Sequence, residues 1–137
     1  MQGESSIVFS TYVTWSDDGG LTWTPAQKVT DGAPPHLTQL RDGTVVLTYG
    51  YRDWREKPTG IFARISRDGG ETWCAEMRLA DQPEVTPYDD LGYPCTVPLP
   101  DGSMLTVWYQ HAGQDAYPSV LSLTWTLSDD AGSVLIQ

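Results

Sequence analysis

A chain of 137 residues with eighteen acidic against eight basic side chains carries a formal charge of −10, a field that repels nucleic acid and anionic membranes alike. Its length suits one domain with a buried core, and no apolar run reaches the roughly eighteen residues that a membrane-spanning helix needs. Six Trp, seven Tyr, thirteen Gly and ten Pro favour short strands and tight turns with bulky rings wedged between sheets.

In chain order, residues 7–15 predict a strand, 16–22 a corner and 23–29 the strand leaving it. Residues 30–35 connect to a hairpin made of strand 36–40, an Arg41-Asp42-Gly43 turn and strand 44–51. A polar, proline-containing loop at 53–59 leads to strand 61–65, a second corner and strand 73–79. The pattern then restarts with strand 92–99, a Pro100-Asp101-Gly102 turn and strand 103–109. Loop 111–115 precedes strand 119–127, a worn third corner at 128–134 and a short last strand or loose end at 134–137. The start, Met1 to Glu4, has neither a basic region nor an apolar secretory segment, which leaves the localisation open. A longer protein in the periplasm or outside the cell is compatible with it.

Two corners share one spelling fifty residues apart: Ser16, Asp18, Gly20, Thr22 and Trp23 recur as Ser66, Asp68, Gly70, Thr72 and Trp73. Each aspartate is placed to accept backbone N–H groups across its turn, while the glycines take φ values that residues with a Cβ avoid. The threonines bond locally, and Trp23 and Trp73 are expected in equivalent, largely buried positions. Both aspartates therefore read as structural rather than catalytic. A period of about fifty residues fits one four-stranded propeller blade. The expectation is an all-β partial propeller of about two and a half to three blades. Residues 1–30 supply the outer strands of one blade, 35–80 a complete blade, and 91–137 a last blade of three or four strands. Such a piece leaves sheet faces and edges to be covered by preceding blades or by identical copies. Cys74 and Cys95 form no metal-ligand pattern and their pairing stays open; no metal or cofactor is expected.

The corners resemble the Asp boxes of the sialidase (neuraminidase) superfamily, also called BNR repeats. The run 35–52, ending Tyr49-Gly50-Tyr51-Arg52, and Asp90-Leu91-Gly92-Tyr93-Pro94 with 99–109 are similar to the last two blades of bacterial sialidase-like proteins. The resemblance covers nearly the whole chain, but only the final part of a six-bladed catalytic domain. In that family an arginine triad binds the substrate carboxylate, a tyrosine paired with a glutamate is the nucleophile, and an aspartate is the acid/base. Guanidinium matches carboxylate by charge and fork geometry. A neutral phenol avoids setting a carboxylate nucleophile against an anionic sugar, but with a pKa near 10 it needs a base or a positive field beside it. The resemblance implies Tyr93 as nucleophile and Arg52 as one carboxylate-binding arginine, with Arg64 and His36 as further substrate contacts. Glu84, Asp89 and Asp90 are the candidate carboxylate partners of Tyr93.

The chain departs from the family where the activating glutamate would stand, because Pro34-Pro35-His36 holds no carboxylate. The acid/base aspartate and the other arginines belong to early blades that this chain does not contain. The first functional expectation is a fragment, or self-assembling part, of a sialidase-like glycoside hydrolase acting on sialic acid or another acidic glycan, inactive as an isolated monomer. The alternative is a noncatalytic glycan-binding or protein-interaction propeller, with loop aromatics such as Trp54 and Tyr88 at the partner. Closing a six-blade ring from identical copies gives a homo-oligomer, a dimer slightly ahead of a trimer; missing N-terminal blades close it otherwise.

Overall fold

The computed structural model describes residues 9–52, 59–81, 91–111 and 117–128, and the backbone of 134–136. Among them the chain forms strands and no helix: β1 (Ser10–Val13), β2 (Gln27–Asp31), β3 (Pro35–Gln39), β4 (Val45–Tyr51), β5 (Gly60–Ser66), β6 (Met77–Asp81), β7 (Leu91–Pro98), β8 (Met104–Gln110), β9 (Ser119–Leu127) and β10 (Val134–Ile136). They make three antiparallel sheets, β1–β2, β3–β4–β5–β6 and β7–β8–β9–β10, so the architecture is all-β. No helix of the described residues is long and apolar enough to cross a membrane. The middle of the worn third corner, Trp54, Tyr88 and the carboxylates Glu84, Asp89 and Asp90 lie outside the described residues.

Strands β4 and β5 are buried at nearly every position rather than alternately, because the second sheet is covered on both faces. On one face Val46, Ile61, Ala63, Ile65, Met77 and Leu79 pack with Leu91, Met104, Trp108 and Trp125 of the third sheet. On the other, Leu47, Tyr49, Tyr51 and Phe62 meet Val29 of the first sheet, with Trp73 at the margin. Each such side chain contributes about 1.5–3 kcal/mol when fully buried, so these two interfaces hold the sheets together.

The repeat is built into the ladders as well as the spelling. Pairs Ser10↔Asp31, Thr11↔Thr30, Tyr12↔Lys28 and Val13↔Gln27 recur, shifted by fifty, as Gly60↔Asp81, Ile61↔Ala80, Phe62↔Arg78 and Ala63↔Met77, with the bulge at the same step. The two predicted tight turns also match. Leu40 N–H donates to Thr44 O and Leu99 N–H to Ser103 O, both at 2.8 Å. The Asp42 and Asp101 carboxylates each accept the N–H two residues on, at 2.9 Å.

Two expectations about the corners need correction. The strands leaving them begin at Gln27 and Met77, not at 23 and 73. One ladder-like bond persists in each, Thr24 N–H to Trp15 O and Cys74 N–H to Ile65 O. The indoles, however, fold back over their own turns: Trp23 Nε1–H donates to Gly20 O at 3.1 Å and Trp73 Nε1–H to Gly70 O at 3.0 Å. Nor are the two rings equally buried. Trp23 is 60 % exposed, whereas Trp73 is half-buried, because only the second corner sits beside the Leu47–Phe62 cluster. The ring that joins one corner to the next is Trp15, whose Nε1–H donates to Gly69 O at 2.8 Å. It covers Gly70 so closely that a Cβ there would lie 3.0 Å from the indole. Both cysteines are free thiols.

Candidate functional site

Arg52 follows β4 and Tyr93 is the third residue of β7, so the two come from different sheets, and they meet. Glycines let the strands approach: a Cβ on Gly50 would lie 3.2 Å from the Gly92 Cα. Pro94 has no N–H to give the ladder, and β7 bulges between Gly92 and Cys95 against β8. Tyr93 is thereby turned outward, 65 % exposed, with φ at 50° in the left-handed region. A side-chain-bearing residue held there costs about 1–3 kcal/mol, so its neighbours must fix it.

Arg52 supplies that restraint. Its Nε donates to Leu91 O at 2.6 Å and its Nη2 to the Tyr109 hydroxyl at 3.1 Å, while Cζ lies 5.9 Å from the Tyr93 ring centroid. Tyr109, on β8, pairs with Gly92, and its ring stands 5.6 Å from that of Tyr93 with the planes inclined by 31°. A guanidinium and two phenol rings thus converge at one exposed edge. The group offers a cation for a carboxylate, hydroxyls for polar atoms and aromatic faces for sugar C–H bonds.

Tyr109 was not singled out from the sequence. Counting the hairpin register back from Asp101-Gly102 and adding the bulge that Pro94 imposes would have placed it opposite Gly92. His36 takes a different position from Tyr93's cluster. It lies in the seam between β3 and β7, where Thr96 N–H donates to its Nδ1 at 3.2 Å and its Nε2 faces Cys95 Sγ at 3.6 Å. Accepting at Nδ1 places the proton of the neutral ring on Nε2. Around it the seam is tied by Thr38 Oγ1 donating to Thr96 O at 2.6 Å and by a Thr48–Thr96–Thr106 hydroxyl chain.

Arg64 does not join Arg52. It pairs with Leu47, five residues short of Arg52 along β4, or about 16 Å away. Its Nη1 donates to Cys74 O at 2.8 Å, and its buried Nε makes no hydrogen bond to the protein. A tyrosine–carboxylate pair does occur beside it, but at Tyr49 and Glu76. The Tyr49 hydroxyl donates to Glu76 and accepts from Thr30 Oγ1 at 3.2 Å. Burial, then the bond to Glu76, pushes the Tyr49 phenol well above its ordinary pKa, so this wholly buried hydroxyl stays neutral and links the first two sheets.

The corner aspartates work within their own turns. Asp18 accepts Thr22 N–H at 2.9 Å and the Thr22 hydroxyl at 2.5 Å, with Ser16 Oγ donating at 2.8 Å. Asp68 repeats this with Thr72 and Ser66. These bonds, the threonine hydroxyl's first, hold both carboxyls down at about 2. Among the described residues no group of His, Cys, Asp and Glu side chains is arranged to hold a metal ion.

The fold and the Arg52–Tyr93 cluster define an all-β protein of packed antiparallel sheets with one exposed cation–aromatic edge. A crystal structure of a protein of unknown function from Dyadobacter fermentans is similar, with a TM-score of 0.69 and 30 % identity over 88 % of this chain. The match covers 32 % of that protein, so this chain spans about a third of its relative's length. No protein-family model and no curated protein matches the chain.

Proposed function

We propose that this chain is the closing part of a sialidase-type six-bladed propeller, and that Arg52, Tyr93 and Tyr109 recognise the carboxylate-bearing sugar of an acidic glycan. The meeting of Arg52 and Tyr93 from neighbouring sheets at one exposed edge carries this reading. The blade interpretation is supported by the register of β1–β2, which duplicates that of β5–β6, and by the adjacency of the edge strands β3 and β7. A carboxylate beside Arg52 would gain a charge-assisted hydrogen bond of about 1.5–3 kcal/mol. Hydrolysis needs a proton donor and further charge stabilisation besides a nucleophile, so the chain alone binds without turning over. Preceding blades, or identical copies, would complete the ring and could supply them.

A noncatalytic glycan-binding propeller is the second reading. It is favoured by His36, which stands where the activating glutamate would be and is engaged with Thr96 and Cys95. Titration with N-acetylneuraminate, followed by amide NMR shifts at 91–93 and 109, tests the site. Saturable binding is expected, weakened roughly tenfold or more by Arg52→Ala. No binding, or binding indifferent to that change, would overturn it. A fluorogenic sialoside then separates the readings: turnover by the closed assembly, abolished by Tyr93→Phe, supports the hydrolase, and binding without turnover supports the module.

A further inference from the structure

We propose a second binding site, for a neutral saccharide, in the cleft between β2 and the face of the second sheet that carries Arg64. The cleft has a volume of about 470 Å³, inside the roughly 300–1,000 Å³ range of small-molecule sites. Lys28, Thr30, Asp31, Tyr51, Arg64 and Glu76 line it. It shares no lining residue with the Arg52–Tyr93 edge and does not rest on the function proposed for that edge.

Charge selects the ligand class. The lining cations Lys28 and Arg64 are balanced by Asp31 and Glu76, and Lys28 Nζ already contacts Asp31 Oδ1 at 2.6 Å. A ligand with net charge would gain on one wall what it loses on the other. A hydroxyl group satisfies both walls, because it accepts from a guanidinium and donates to a carboxylate with the same oxygen. Several hydroxyls on one small ring do this repeatedly.

The anchors are already oriented by the fold. Arg64 is held through Nη1 by Cys74 O at 2.8 Å, which fixes its guanidinium at the wall of the cleft. Glu76 is held from the opposite side by the Tyr49 hydroxyl, itself braced by Thr30. A ligand therefore meets a fixed donor and a fixed acceptor, and little side-chain freedom remains to be lost on binding.

Titration of isotope-labelled protein with D-glucose, D-galactose and N-acetyl-D-glucosamine decides the matter. At least one should give saturable shifts of the amides at 28–31, 64 and 76, and glucuronate and glucosamine should bind there roughly tenfold more weakly. Arg64→Gln and Glu76→Gln should each weaken the neutral sugar roughly tenfold. If Arg64→Gln fails to fold, Glu76→Gln and the wild-type shift map carry the test. The proposal is overturned by the absence of saturable shifts at these positions with all three neutral sugars, by equal binding of the charged ones, or by binding that survives the folded variants.

Discussion

Gly92 shows how closely the exposed edge is fitted. Its φ is 145°, and a Cβ there would approach Arg52 Nη2 to 2.9 Å. Gly92→Ala is therefore predicted to cost about 1–3 kcal/mol of stability and to weaken acidic-sugar binding by displacing the guanidinium. Thermal denaturation and sugar titration of the variant check this together; unchanged binding would mean Arg52 is not positioned through Gly92. The corner aspartates give a pH prediction. Their folded pKa of about 2 lies below the ordinary 3.8, so their stabilisation is complete above 3.8 and is lost as the pH falls toward 2. Urea midpoints measured through that window should fall less steeply in the Asp18→Asn, Asp68→Asn double variant than in the wild type. Equal slopes would remove the corners from the acid response.

At the scale of elements, the strand order, both corners and both tight turns were legible, because each rests on local spelling: alternation, Asp-Gly turns and a fifty-residue period. What escaped was non-local. Trp15 precedes the first corner's motif, yet its bond goes to Gly69, so nothing in its own segment marks it as the link between sheets. Tyr109 was hidden because a bulge shifts the register by an amount that strand length alone does not reveal. The late start of β2 and β6 follows from indoles that bond back to glycine carbonyls, a choice that the alternating pattern cannot encode. Of the residues singled out in the sequence, Arg52 and Tyr93 lie together in the structure, Arg52 just after β4 and Tyr93 near the start of β7. Arg64 lies in the strand where the sequence puts it, and what the local pattern leaves open is its bond to Cys74 O. Two element-scale predictions follow from these contacts. Trp15→Ala should cost about 1–3 kcal/mol and speed amide exchange in β1 and β2 more than in β3 to β6. Tyr49→Phe, which strips Glu76 of its buried donor, should cost a similar amount, about 1–3 kcal/mol by denaturant titration.

At the scale of the whole molecule, apolar side chains stay exposed along the sheet edges. Leu37 on β3 and Val97 on β7 are 51 % and 45 % exposed, along the adjacent edge strands, and Phe9 and Tyr12 add apolar surface at the first sheet. Edges of this kind favour association, and we expect the chain by itself to form a homo-oligomer, two copies ahead of three. Light scattering at micromolar concentration checks this, and a stable monomer would contradict it. The central claim concerns Arg52 and Tyr93, and the most direct measurement is a crystal structure of the protein with N-acetylneuraminate bound. The account predicts the sugar carboxylate on the Arg52 guanidinium and the pyranose ring beside Tyr93 and Tyr109; a sugar seated elsewhere, with Arg52 untouched, would contradict it.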